Sequence, residues 1–150
     1  MIVAFNIPGQ PVAKGRPKFA RRGAHVVAYT PAATVSYENL VKMAATLAMR
    51  GVEPTAGPVA LSVSLSMQIP ASWSNKRRAL AAAGSIAATK KPDADNVLKG
   101  IKDGCNGIIW RDDAQVVQIY VEKWYSETPG ATVKVVTLDV ASAQCKICNI

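Results

Sequence analysis

Half of the acidic residues of this chain, five of ten, lie in the stretch KKPDADNVLKGIKDGCNGIIWRDDAQ, residues 90–115. They are Asp93, Asp95, Asp103, Asp112 and Asp113. A carboxylate cluster in a basic chain either caps and turns the backbone or holds a cation. Mg²⁺ accepts a few carboxylates when waters and substrate phosphates supply its other oxygen ligands. The stretch is therefore a candidate for metal-assisted phosphodiester chemistry.

The spacing of the first acidic residues allows both interpretations. Asp95 precedes Lys99 by four residues, which is about one helical turn, so both side chains share a helix face. A lysine beside metal-binding carboxylates could stabilise charge on a scissile phosphate. An aspartate at a helix start is also stabilised by the helix dipole, so capping explains Asp93 without a metal. The residue pattern alone leaves the metal site and the cap equally open.

Apolar patterns along the chain predict the elements that must position these residues. They indicate an α+β domain with a mixed sheet, in the order βαβααββ. Alternating apolar residues predict strands, and apolar residues three or four apart predict helices. The segment at 10–31, rich in Pro and Gly, predicts a long loop or open hairpin. The predicted elements are a strand in IVAFNIPG, a helix at 34–50, a strand in PVALSVSLSMQI, a short helix in SWSNKRRALAAAG, a helix at about 94–106, and strands in QVVQIYVEKWY and ATVKVVTLDV.

The spacing of apolar residues in two of the predicted helices indicates which of their residues are buried. Helix 94–106 is expected to bury Val97, Leu98, Ile101 and Cys105. For helix 34–50 the expected buried stripe is Leu40, Val41, Ala44, Leu47 and Ala48. Trp110 and Trp124 are both expected in the core.

The net charge of +8 is unevenly distributed. Residues 1–92 hold twelve Lys and Arg against two Glu, whereas residues 93–150 hold six against eight acidic residues. Charge runs are most often solvated surfaces, but beside a phosphodiesterase site they favour phosphate binding. The residues expected to bind DNA are Lys14, Arg16, Lys18, Arg21, Arg22, Lys76, Arg77, Arg78, Lys90 and Lys91. Phe19, Tyr29 and Trp73 could stack on unpaired bases, although aromatic residues more often belong to the core.

Length and composition predict one domain over residues 1–150, with a C-terminal tail at 141–150. No apolar run is long enough to span a bilayer, and the first residues do not resemble a secretory signal, so we expect a cytoplasmic protein. CKIC at Cys145 and Cys148 has half of a zinc-site spacing. Cys105 and His25 are the other thiol and imidazole candidates, so a reduced tail is the favoured interpretation.

The stretch KPDADNVLKGIKDGCNGIIWRDDAQVV resembles the signature of the RusA family of Holliday junction resolvases. The matching pattern is K-P-D-x-D-N-x-x-K, a helix, and then N-G-x-x-W-x-D-D-x-Q-V. The segments IPGQPVAKGRPKF, YTP and PASWSNKRRA and the paired C-terminal strands are also similar to family members. Ala94 stands where relatives often have a larger apolar residue, and Asp103, Gly104 and Cys105 stand where D-A-L is common.

The resemblance implies a Mg²⁺-dependent endonuclease that acts as a homodimer on four-way DNA junctions in recombination and repair, in a bacterial or phage-infected cell. It implies a metal site at Asp93, Asp95 and Asp113 and a catalytic role for these residues and Lys99. Asp112 is the acidic residue directly before Asp113. Two alternatives remain: a nuclease for flaps or other branched DNA, and a non-catalytic nucleic-acid-binding protein whose aspartates only cap and turn.

Overall fold

The computed structural model describes residues 1–139, and its elements follow the predicted order. The segment predicted as a long loop or open hairpin contains a hairpin of two short strands, between the first strand and the first helix. The elements are β1 (Ile2–Pro8), β2 (Lys18–Arg22), β3 (His25–Tyr29), α1 (Ala32–Met49), β4 (Val59–Gln68), α2 (Asn75–Ala82), α3 (Ala94–Cys105), a 3₁₀ turn (Asp113–Gln115), β5 (Val116–Ser126) and β6 (Gly130–Thr137).

Four strands form one mixed sheet in the order β1-β6-β4-β5, which confirms the α+β prediction. β6 is antiparallel to both of its neighbours, whereas β4 and β5 are parallel. Parallel neighbours need a long crossover connection, and the chain uses α2 and α3 for it. This crossover carries the PDxDN motif on α3, next to the strand that follows the DD motif.

The hydrophobic core lies between one face of this sheet and helices α1 and α3. Alternate residues of β4, such as Leu61, Val63 and Leu65, are buried, while the intervening serines face the open side. Trp110 is fully buried, as predicted. The prediction for Trp124 is wrong, because this residue lies on the open face and its indole donates to Ser64 Oγ at 3.1 Å.

Helix α1 is confirmed, but its buried face is rotated from the predicted stripe. The buried residues are Thr34, Tyr37, Val41, Ala45 and Met49. Leu47, which was predicted to be buried, is largely exposed. The apolar residues of α1 cover more than one face, so the periodicity did not determine which face packs against the sheet.

Gly104 is where α3 approaches α1 most closely. A Cβ atom added there would lie 2.6 Å from both Cβ and Cγ1 of Val41, which is too close for any side chain. Glycine usually lowers the stability of a helix relative to alanine, but this does not hold at Gly104, because the missing side chain allows the two helices to pack.

The β2–β3 hairpin differs from the rest of the fold. Gly23 has φ +62° in its two-residue turn, a conformation that favours glycine. All of its strand residues except Ala20 are exposed. The hairpin forms a separate two-stranded sheet.

Candidate active site

Helix α3 brings the first two predicted acidic residues to its N-terminus. The helix forms because Val97, Ile101 and Cys105 recur on one face and are completely buried. Asp93 occupies the N-cap position and Asp95 lies in the first turn. Within residues 1–139 the Asp93 side chain makes no capping hydrogen bond, so capping does not account for this carboxylate.

The two aspartates of the DD motif have different roles. Asp112 caps the 3₁₀ turn: its Oδ1 accepts from the backbone N–H of Ala114 at 2.7 Å, and Gln115 completes a capping box. Asp113 instead accepts a 2.8 Å hydrogen bond on Oδ1 from the indole Nε1 of buried Trp110. The indole therefore orients the Asp113 carboxylate.

Gln115 connects this turn to a distant loop. Its Oε1 accepts from the backbone N–H groups of Arg111 and Asp112, both at 2.8 Å. Its Nε2 donates to the carbonyl oxygens of Thr55 at 2.9 Å and Gly57 at 2.8 Å. The Trp and Gln of the W-x-D-D-x-Q pattern thus hold the turn that carries Asp113.

A small polar pocket brings together two of the four predicted catalytic residues, Lys99 and Asp113. We call it the α3 pocket, and its lining residues are Lys14, Lys99, Lys102, Asp103 and Asp113. Three lysines and two aspartates make it a site with excess positive charge. Such a site can accept the phosphate of a substrate.

Lys14 joins the N-terminal part of the chain to this pocket. Its ammonium donates to Asp103 and lies 3.9 Å from Glu38 Oε1. The hydrogen bond to Asp103 raises the pKa of Lys14 above its usual value; partial burial opposes this shift, and the charges of Asp103, Glu38 and Asp113 add to it. Its pairing shows that Lys14 organises the pocket, and its contact with DNA stays a prediction.

Asp93 and Asp95 lie outside the lining of the α3 pocket in the described part of the chain. Across residues 1–139, no three Asp, Glu, His or Cys side chains form a group that could hold a metal ion. The convergence of Asp93, Asp95 and Asp113 on one cation therefore stays a prediction. Asp95 and Lys99 are one turn apart on α3, as the spacing predicted.

Sequence reasoning missed Lys123 as a residue that positions the motif. Its Nζ donates to the carbonyl oxygens of Lys90 at 2.7 Å and Pro92 at 3.0 Å. These two carbonyls belong to the segment that leads into Asp93. The available signal was alternation in β5, where Lys123 shares its strand face with Val121 and Tyr125 and pairs in register with buried Leu65.

Trp73 brings together two of the predicted basic clusters. The guanidinium carbon of Arg77 lies 3.8 Å from the centre of its ring, and Lys90 Nζ lies 5.2 Å from it. Tyr125 packs against the ring edge-on, with the ring centres 5.2 Å apart. Trp73 is therefore a packing centre between the basic clusters and is less suited to stack on a base.

The other predicted DNA-binding side chains lie on the surface. Arg16, Lys18, Arg21, Arg22, Lys76, Arg78 and Lys91 are all exposed. Their exposure is compatible with phosphate contacts, which remain a prediction.

The cysteines do not form a site among the described residues. Cys105 is buried and free, and Cys145 and Cys148 lie outside residues 1–139. Burial raises the pKa of the Cys105 thiol to about 12, and the nearby charge of Asp113 contributes. A thiol so resistant to deprotonation is a structural residue and a poor metal ligand. No helix within residues 1–139 is both long and apolar enough to cross a membrane.

Comparison with known proteins places the chain in a family. The model of the family described as "Endodeoxyribonuclease RusA" matches residues 8–136, which include the α3 pocket, the PDxDN motif and the DD motif. The chain belongs to this family. It is also similar to a protein of Bacillus subtilis (strain 168) named "Uncharacterized protein YqaN". The two are 37% identical over 135 residues, covering 89% of this chain and 94% of that protein.

Proposed function

We propose that this protein is a Mg²⁺-dependent endodeoxyribonuclease that resolves four-way DNA junctions during recombination and repair. The observation that carries the proposal is the family match over residues 8–136, which contains Lys99 and Asp113 in one polar pocket. We expect the protein to act in the cytoplasm of a bacterial or phage-infected cell.

The donor set suits Mg²⁺ because carboxylates are hard oxygen ligands. Mg²⁺ is commonly bound by one or two carboxylates while waters and phosphates complete its coordination. Asp93, Asp95 and Asp113 are the residues that would hold it. Asp93 makes no capping bond within residues 1–139, and Asp113 is held by Trp110 through Oδ1, which leaves its second oxygen for a cation. Bound there, the ion would stabilise charge on the phosphate and activate water.

The protein's own groups would then bind and orient the scissile phosphate. Lys99 would place its ammonium against a non-bridging oxygen, where negative charge increases in the transition state. Trp110 and Gln115 hold the Asp113 turn in place, and Lys123 holds the segment before Asp93. The exposed basic clusters would grip the flanking backbone without reading its sequence.

We also propose that the active form is a homodimer. Resolution of a four-way junction requires two cuts on opposing strands, and the chain carries one PDxDN motif and one DD motif. A symmetric pair is the commonest oligomer and would supply two matching sites. Sedimentation at micromolar concentration tests this, and a monomer both with and without junction DNA would favour a nuclease that makes a single cut.

The function is tested with labelled synthetic four-way junctions, flaps and linear duplexes, each with Mg²⁺ or with EDTA. We expect paired cuts in the junction that depend on Mg²⁺. Cleavage confined to flaps would support the flap-nuclease alternative. Binding without cleavage of any substrate would support a non-catalytic DNA-binding protein.

A further inference from the structure

The β2–β3 hairpin exposes apolar and aromatic side chains that the described core does not cover. The exposed fraction is 72% for Phe19, 67% for Val26, 45% for Val27 and 47% for Tyr29. The strands are only five residues long, and within residues 1–139 they pair only with each other. An isolated hairpin of two strands is marginally stable in water, so its large exposed apolar side chains indicate a binding surface.

The charge of the hairpin indicates a polyanionic partner. Lys18, Arg21 and Arg22 lie on β2, and the chain has no acidic residue before Glu38. Cations interleaved with exposed aromatic rings are the combination that binds unpaired nucleotides, because the cations follow the phosphates and the rings stack on bases. In a linear duplex the bases are already stacked on one another, so a branch point is the better partner.

The base of the hairpin is fixed beside the α3 pocket. The backbone N–H of Lys14 donates to the carbonyl oxygen of Asn96 on α3 at 3.0 Å, and its side chain lines the pocket. The next residue, Gly15, donates its N–H to Thr34 Oγ1 at 2.8 Å. A Cβ on Gly15 would lie 2.8 Å from Pro31 Cγ, so the chain passes in close contact with the start of α1.

These contacts define a fixed base and a free stem. A strand of five residues extends about 16 Å, which is comparable to the width of a DNA groove. Because Lys14 joins the base of this stem to the pocket that contains Lys99, DNA bound at Lys99 would lie beside the hairpin.

We propose that the β2–β3 hairpin is an arm that binds the base faces exposed at a DNA branch point and creates the preference for branched over linear DNA. Phe19 shares one face of the hairpin with Arg21, and Tyr29 shares the other face with Lys18 and Arg22. Each ring stacks on an exposed base, and the cations on its face contact the phosphates beside it. This inference rests on the proposed function, since it takes branched DNA as the substrate of the α3 pocket.

The test compares three double variants of the full chain, and the first two replace side chains with similar exposed fractions. The first, Phe19→Ala with Tyr29→Ala, removes both rings. The second, Val26→Ala with Val27→Ala, removes equally exposed aliphatic side chains from the same hairpin. A third, Phe19→Tyr with Tyr29→Phe, retains both rings. Affinities for a synthetic four-way junction and for a duplex of the same arm sequence are measured in EDTA, so that no cleavage occurs.

We expect the ring-less variant to bind the junction about tenfold or more weakly, with little change in duplex affinity. The valine variant and the ring-retaining variant should keep the wild-type preference. A 5-iodouracil placed at the branch should crosslink to Phe19 or Tyr29 under ultraviolet light, as mapped by mass spectrometry. Unchanged preference in the ring-less variant, or an equal loss in the valine variant, would overturn the role of the rings.

Two further measurements separate this inference from the proposed function and from a contact between protein chains. If the ring-less variant loses junction preference but the wild type cleaves nothing with Mg²⁺, the arm is supported and the nuclease is not. If both proteins bind and cleave junctions alike, the nuclease is supported and the arm is overturned. A ring-less variant that sediments as a smaller species than the wild type would assign the rings to a second copy and overturn the arm.

Discussion

The α3 pocket and the β2–β3 arm lie next to each other but are supported in opposite ways. Behind the pocket, Val97, Ile101 and Trp110 are completely buried, and hydrogen bonds hold the surrounding turns. The arm has almost no buried residue and depends on its own strand pairing. Chemistry requires groups held in place by the core, whereas recognition of a deformable DNA branch can use a surface that is completed by its partner.

The strongest test of the proposed metal site beside the pocket is the removal of one carboxylate charge. Asp95→Asn should lower the rate of junction cleavage at least about a hundredfold, the scale reported for loss of one charge-stabilising group. Asp95 is exposed, so folding and junction binding should be retained. Gel-based cleavage, melting temperature and affinity are measured together. An active Asp95→Asn protein would remove this residue from the site.

Lys99 tests whether the pocket acts on the transition state or only attracts DNA. Lys99→Ala should lower the cleavage rate at saturating DNA by about tenfold or more while changing affinity much less. The matched control is Lys102→Ala, which removes a cation from the same pocket. Equal losses in the two variants would mean that only the net charge of the pocket matters.

The packing behind the pocket is tested at two glycines of α3. Gly104→Ala should lower the free energy of unfolding by about 1–3 kcal/mol, because its Cβ would clash with Val41. Gly100→Ala is the control: within residues 1–139, no atom beyond its chain neighbours and its own helix backbone lies within 4 Å of its added Cβ, and it should raise stability by about 0.5–1 kcal/mol. Urea unfolding measures both.

Urea unfolding also compares how firmly the pocket and the arm are packed. Phe19→Ala should change the unfolding free energy by less than about 0.5 kcal/mol, because the ring is mostly exposed. A loss as large as that of Gly104→Ala would show that the arm is packed as firmly as the pocket.

A further test of the packing behind the pocket is an alkaline loss of stability from Cys105. Its folded pKa of about 12 exceeds the ordinary thiol value of 9.0, so the folded state retains a proton that the unfolded state releases. The contribution of this thiol to the free energy of unfolding is therefore fully present below about pH 9. It is lost as the pH rises toward 12, by at most about 1.4 kcal/mol per pH unit. Cys105→Ala should flatten this slope between pH 9 and 10 in urea unfolding. An unchanged slope would assign the effect to other groups.

Much of the fold could be predicted because its signals are local. Alternation identified β4, and apolar spacing identified α3 with the buried residues Val97, Ile101 and Cys105. The same reasoning failed for Leu47 and Trp124, because an apolar residue can satisfy the period of an element and still lie where no neighbour covers it. For the candidate site, the sequence supplied Lys99 and Asp113 but could not show that they share a pocket.

The sequence by itself determined the elements, their order and the family, because hydrophobic periods and motif spacing are properties of neighbouring residues. Only the tertiary structure decided which side chains meet. Lys14 and Asp103 are 89 residues apart and form an ion pair, and Lys123 on β5 reaches the carbonyl oxygen of Pro92 in the loop before α3. Such pairings depend on how α3 crosses α1 and the sheet, and the missing side chain of Gly104 permits that close approach.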